Sequence, residues 1–235
     1  MTHPAPRRPR VILTDIEGTT GSIHFVREVL FPYAHRRLAD FVAAHRDDPV
    51  VQHLLRDAAE LNGTPDLDEA QSIALLRRWI GEDRKATPLK SLQGLIWADG
   101  YNSGAFQGHV YDDAAAALRD WQAQGIALYV YSSGSIAAQK LLFRFSSAGD
   151  LTPILRGYFD TTVGAKTDPA SYRRIVAEVG AQPGDILFLS DAVPELDAAS
   201  VIGMQTVCVQ RDDRPPGTSQ HRVMRTLAGL FPAVV

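Results

Sequence analysis

Four short runs of the chain are apolar without a polar break: Val11-Ile12-Leu13-Thr14, Ala127-Leu128-Tyr129-Val130-Tyr131, Ile186-Leu187-Phe188-Leu189 and Thr206-Val207-Cys208-Val209. A strand with one wet face alternates, whereas a continuous run of this length suits a strand covered on both faces, as in a parallel sheet. Between the later runs the spacing becomes helical. Ile136 to Phe145 carries Leu141, Leu142 and Phe145, and Pro169 to Val179 carries Tyr172, Ile175, Val176 and Val179, with proline as its start and Gly180 as its stop. Ala114 to Leu118 is a further helical segment of strong formers. Strands alternating with helices predict an α/β fold with a doubly wound, mostly parallel sheet.

From about Val26 to Leu95 no strand pattern interrupts the helical one. Leu38, Phe41 and Val42 share a face, as do Val50, Val51, Leu54, Leu55, Ala58 and Leu61 ahead of Gly63. Asp66 followed by Glu69 has capping-box spacing and opens a helix carrying Ile73, Leu76 and Ile80; Leu89, Leu92 and Ile96 mark another. The organisation expected is a tail over residues 1–10, an α/β core over 11–24 and 108–235, and an all-helical cap over 25–107 inserted after the first strand. The Gly-rich end of the insert, Asp99-Gly100-Tyr101-Asn102-Ser103-Gly104, reads equally as a hinge or an ordinary surface turn.

Composition narrows the class of function. Of 235 residues, 45% are hydrophobic and 22% charged, which excludes wholesale disorder. A net charge of −3 offers no basic surplus for nucleic acid. No apolar run approaches the roughly 18 residues that cross a bilayer, so no membrane association is expected. Met1 to Arg10 is Pro- and Arg-rich, a loose tail and not a secretory signal, and Cys208 has no second cysteine to pair with. A cytoplasmic monomer is the expectation. Outside the tail, only the Arg211–Gly217 loop is low in complexity.

In an open parallel sheet, ligands gather at the carboxyl ends of the strands. Asp15-Ile16-Glu17-Gly18-Thr19-Thr20 follows the first run, Ser132-Ser133-Gly134-Ser135 the second, and Ser190-Asp191 the run at 186–189; Lys166 lies in a loop before the helix opened by Pro169. Singly, each has a plainer explanation as a turn, a helix cap or a solvated lysine. If the strands are parallel, they converge on one rim, and together they suit phosphoryl transfer. Asp15 and Asp191 supply hard oxygen ligands for Mg²⁺, and Asp15 can also attack phosphorus. Lys166 offsets the repulsion between two anions, while Ser132 or Ser133 and the N–H groups of the next helix start cradle the phosphoryl group.

These residues resemble the motifs of the haloacid-dehalogenase superfamily: Asp15 to Thr19 the first, Ser132 the second, Lys166 the third, and Asp191 with Glu195 beyond it the fourth. Phosphatases of that superfamily usually carry Asp where this chain has Glu17. The departure, with Leu30-Phe31-Pro32-Tyr33, Leu92-Gln93-Gly94-Leu95-Ile96-Trp97, Gly108-His109-Val110-Tyr111 and Ala138-Gln139-Lys140-Leu141-Leu142-Phe143, is similar to the enolase-phosphatase (acireductone synthase) family of methionine salvage. The resemblance implies a phosphorylated diketone substrate, 2,3-diketo-5-methylthiopentyl-1-phosphate, enolised and then dephosphorylated. It implies one Mg²⁺ at Asp15, Glu17 and Asp191, with Glu17 giving its main chain, and substrate at Ser132, Ser133 and Lys166. Asp15 would be the nucleophile, and Glu17 or a group of the insert the enolisation base. A receiver-type signalling module is a rival, but it places its acceptor on a middle strand and has no room for the insert. A sugar-phosphate phosphatase that happens to carry Glu17 is another.

Overall fold

The computed structural model describes residues 6–211 and 220–231. In chain order its elements are β1 (Val11–Thr14), α1 (Ile23–Phe25), a π-helical turn (Val26–Leu30), α2 (Phe31–Ala44), α3 (Pro49–Leu61), α4 (Glu69–Gly81), α5 (Thr87–Asn102), α6 (Asp112–Ala123), β2 (Ala127–Tyr131), α7 (Ile136–Arg144), β3 (Gly157–Phe159), α8 (Pro169–Val179), β4 (Ile186–Ser190), α9 (Val193–Val201), β5 (Gln205–Val209) and β6 (Arg222–Met224). They fall into two units, one of residues 1–23 and 108–235, the other of residues 24–107.

The first unit is built on six parallel strands in the order β3-β2-β1-β4-β5-β6. From β1 the chain winds outward through β2 to β3, then returns to β4 on the other side, which makes the carboxyl end of β1 the switch point of the sheet. Thr14 stands level with Val130 and Leu189, so the residues that follow β1, β2 and β4 emerge on one rim. Val11, Leu13, Ile186 and Phe188 pack with Tyr172 and Ile175 of α8 and Leu196 and Ala199 of α9. Strand alternation sends the buried Ile12, Leu128 and Leu187 to the opposite face, and α6 packs against β2. With both faces covered, each of these large side chains contributes about 1.5–3 kcal/mol by leaving water.

The helices begin where the sequence supplies caps. Asp168 accepts from the Ala170 N–H at 2.8 Å, Pro169 follows, and Gly180 closes α8 in the left-handed conformation at φ 70°. In the second unit, Asp48 caps α3 ahead of Pro49. Leu38, Val42, Val51, Ala58, Leu76, Trp79, Leu89, Leu92 and Ile96 form the core of that unit.

Several expectations need correction. The capping box of α4 is Asp68 with Gln71, joined reciprocally at 2.7 and 2.9 Å, and not Asp66 with Glu69. Glu69 sits in the first turn and takes Arg46 at 2.9 Å instead. The proposed hinge is largely helix, because α5 runs to Asn102. Gly100 lets that helix approach closely: a Cβ there would lie 2.6 Å from the Phe106 ring and 2.8 Å from Tyr33. Strands β3 and β6, three residues each, were not anticipated. Of the expected tail, residues 1–5 lie outside the described ones, while Arg10 pairs through its backbone with Asp185 and Ala127 and starts the sheet. Beyond Arg211 itself, the Arg211–Gly217 loop also lies outside them. Among the described residues, no helix is long and apolar enough to cross a membrane.

Candidate active site

Asp15 is the first residue past β1 and is buried, with its N–H donating to Leu189 O at 2.9 Å. The following turn is tightly closed. Ile16 O accepts from the N–H groups of Thr19, Thr20 and Gly21, and Gly18 N donates to Gly21 O. Gly18 has φ 74°, and a Cβ on it would fall 2.3 Å from Asp191 Oδ2, so the turn needs glycine twice over. The result brings the loop after β1 against the residue that follows β4.

Lys166 Nζ stands 2.5 Å from Asp15 Oδ1 and 2.8 Å from Glu195 Oε2, its side chain 7% exposed. Burial alone would lower its pKa, but the carboxylates of Asp15 and Glu195 reverse this and raise it, so the ammonium stays charged. The loop that delivers Lys166 is fixed through four successive carbonyls. Val163 O accepts from Arg174, Gly164 O from the Tyr131 hydroxyl, Ala165 O from Ser171, and Lys166 O from the Tyr172 hydroxyl at 2.7 Å. At φ 136°, with room for no Cβ beside Ser171, Gly164 makes that path possible.

Glu17 faces a hydroxyl instead of a cation: Ser132 Oγ donates to its carboxylate at 3.1 Å. Burial and the nearby charge of Asp15 raise its pKa, against the pull of Lys166 and Ser132. Ser132 is fully buried at the end of β2, its N–H on Phe159 O and its Oγ accepting from Gly134 N. Gln139 braces this loop, donating at 2.8 Å to both Gly134 O and Phe159 O. Ser133 is exposed. At the start of α7, Asp160 takes the Ile136 N–H and Ser135 takes that of Ala138, so these two N–H groups are already paired within the fold.

Asp191 reaches solvent. Partial burial and the charges of Asp15 and Glu195 nonetheless push its carboxyl up to about 6. Glu195, in the first turn of α9, is raised by burial and by Asp15 despite Lys166, and accepts from Ser190 Oγ at 2.9 Å. The structure thus brings Asp15, Glu17, Ser132, Lys166 and Asp191 to one rim, and adds Glu195, Thr19 and Gln139 as groups that hold them. The sequence marks Glu195 only as part of a motif, and its place four residues after Asp191 is the available signal.

Among the described residues no group of three or more His, Cys, Asp or Glu side chains is placed to hold a metal by itself. Asp15 and Asp191 are nevertheless a donor pair suited to Mg²⁺, which takes one or two carboxylates and completes its shell with water and phosphate oxygens. The charges fit as well. Asp15 and Glu195 share the ammonium of Lys166, and the Asp191 carboxyl, raised by burial and by the charges of Asp15 and Glu195, is one that a divalent cation would hold ionised.

A profile of the family described as haloacid dehalogenase-like hydrolase matches residues 9–203. The chain is 53% identical over 221 residues to an enolase-phosphatase E1 of Thioalkalivibrio sulfidiphilus, spanning 94% of this chain and 98% of that protein. It is 57% identical over 203 residues to one of Methylococcus capsulatus, spanning 86% and 89%. Among solved structures, the Unknown transcript 4 protein of Saccharomyces cerevisiae superposes with a TM-score of 0.79 at 34% identity, covering 93% of this chain and 98% of that one. A dehalogenase solved with an intermediate complex shares the fold alone, with a TM-score of 0.57 at 21% identity.

Proposed function

The chain belongs to the haloacid dehalogenase-like hydrolases and, among them, to the enolase-phosphatases, and from that premise we propose that it converts 2,3-diketo-5-methylthiopentyl-1-phosphate to the acireductone of methionine salvage. The observation that carries the reading is a pair of carboxyls in opposite settings: Asp15 against an ammonium, Glu17 against a hydroxyl with its pKa raised. Two acids with such different neighbours can take two roles.

The substrate phosphate docks on Ser132, Ser133 and Lys166, which places C1 beside Glu17. The C1 proton is acidified by the adjacent carbonyl; Glu17 takes it, the electron pair of the C–H bond forms the C1–C2 double bond, and the carbonyl pair moves to the C2 oxygen, which takes a proton from water to give the enol. Asp15 then attacks phosphorus, the bond to the enol oxygen breaks, and Glu17 returns a proton to that oxygen. Water attacks the aspartyl-phosphate, and Asp15 and inorganic phosphate are released. Lys166 holds Asp15 in line and faces the charge that builds on the phosphoryl oxygens. Asp15, Asp191 and the Glu17 main chain would hold Mg²⁺, which supplies Lewis-acid polarisation of the phosphoryl oxygens when bound. A cytoplasmic, monomeric enzyme is part of the same reading, its compartment supported by a lone Cys208 that has no second cysteine to pair with, and the helical unit keeps the role of cap.

The test offers the diketo-phosphate with Mg²⁺ and no added enolase. Acireductone absorbance should grow in step with phosphate release and stop when the metal is chelated. Phosphate release without that absorbance favours the second reading, a plain phosphatase carrying glutamate at position 17.

A further inference from the structure

The Arg211 side chain crosses the rim in a way that the reaction sequence above leaves unused. Its Nε and Nη2 both donate to Thr19 O, at 2.9 and 2.8 Å, and its Nη1 donates to both oxygens of Asp113, at 2.9 and 2.7 Å. The guanidinium lies 4.4 Å from the centroid of the Tyr111 ring. Asp113, in the first turn of α6, also accepts from Thr226 Oγ1 and from Leu227 N. One planar cation therefore joins the exit of β5, the start of α6, the segment after β6 and the turn after β1. Such a fork is what arginine provides and lysine does not.

The carbonyl it holds belongs to a particular residue. Thr19 Oγ1 donates to Asp15 Oδ2, while Asp15 Oδ1 is held by Lys166. Of the rest of the turn, Thr20 O is fixed by the Tyr111 N–H and Gly21 O by the Gly18 N–H. Thr19 O is thus the point at which Arg211 sets the plane of the Thr19–Thr20 peptide, and with it the reach of the Thr19 hydroxyl. We propose that Arg211 is a positioning residue for the nucleophile: it fixes Thr19 so that the second carboxylate oxygen of Asp15 keeps its aim at phosphorus. The inference rests on Asp15 being the nucleophile. Arg211 contacts none of the phosphate-binding groups named above, so its effect falls on the chemical step and not on substrate affinity.

The experiment measures kcat and KM for phosphate release by the full chain, with thermal stability measured on the same samples. Arg211→Ala should lower kcat about ten- to hundredfold, the scale of a small misplacement of a reacting group, with KM within about twofold. Millimolar guanidinium added to that variant should recover a sizeable part of kcat, and ammonium should not. Arg211→Lys should keep a charge beside Asp113 and most of the stability, yet recover little kcat, because one ammonium cannot reach both Thr19 O and Asp113. Thr226→Val, which removes one bond to Asp113 and leaves Arg211 in place, should cost stability alone. The inference is overturned if Arg211→Ala loses activity only in proportion to its unfolded fraction, if KM rises while kcat holds, or if guanidinium restores nothing to a folded variant. A parent enzyme that releases no phosphate would instead defeat the underlying functional reading.

Discussion

The two units bury different chemistry. In the helical unit the described buried residues are apolar apart from Ser72 and Gln93, and they pack as a core around Trp79, Leu76 and Leu92. The sheet unit buries Asp15, Lys166 and His221, together with Thr14, Thr19, Thr20, Ser132, Gln139, Ser171 and Ser190. A buried ion pair returns little net stability, because the desolvation of both ions consumes most of the attraction. Apolar burial carries no such offset. The sheet unit therefore spends stability to hold charges in one place, whereas the helical unit only accumulates it, and that asymmetry sets apart the unit in which the reaction is proposed.

Substitutions can break the contrast. The largest effect is expected at Lys166: Lys166→Ala strands Asp15 and Glu195 beside each other, and should cost about 3–5 kcal/mol of stability and lower phosphate release by about 10²–10³. Urea unfolding and steady-state kinetics check both. Trp79→Ala should cost a similar ~3–5 kcal/mol from the cavity it leaves, yet change turnover per folded molecule less than about twofold. A large loss of kcat in the folded protein would show that the helical core also tunes the chemistry.

A third substitution reverses the usual sign. The Asp191 carboxyl lies at about 6 in the fold, above its ordinary value, so the unfolded chain loses that proton first as pH rises. Asp191 consequently destabilises the metal-free fold above about pH 6 and has no such effect below its unfolded value near 4. Asp191→Asn should raise Tm at pH 7.5 by about 2–4 °C, the shift of a ~1 kcal/mol change in a chain of this size, reduced by solvent screening of an exposed carboxylate. The gain should vanish at low pH and should reverse when the parent is given Mg²⁺. At the small end, Arg46→Ala removes an exposed pair with Glu69 and should leave the unfolding midpoint unchanged within error.

The sequence carried the strands that matter most because their apolar runs are continuous and four or five residues long. Strands β3 and β6 have three residues each, too few for a period to be visible. The cap of α4 lies two residues beyond the expected one because Asp66–Glu69 and Asp68–Gln71 spell the same spacing, and the reciprocal Asp68–Gln71 bonds, with Glu69 turned to Arg46, distinguish them only in the fold. Asp15, Lys166 and Asp191 were visible as polar residues just past strands or before a helix. The groups that hold them were not. Tyr131, Ser171 and Tyr172 reach backbone carbonyls 6 to 33 positions away, and Arg211 reaches Thr19 across 192, contacts that leave no local pattern.

The nucleophile is open to direct observation. Peptide mapping of enzyme quenched in acid during turnover should find a phosphoryl group on the peptide that contains Asp15, present only while substrate remains and absent from Asp15→Asn. Phosphate released at the parental rate by Asp15→Asn, or a phosphoryl group on any other peptide, would contradict the account.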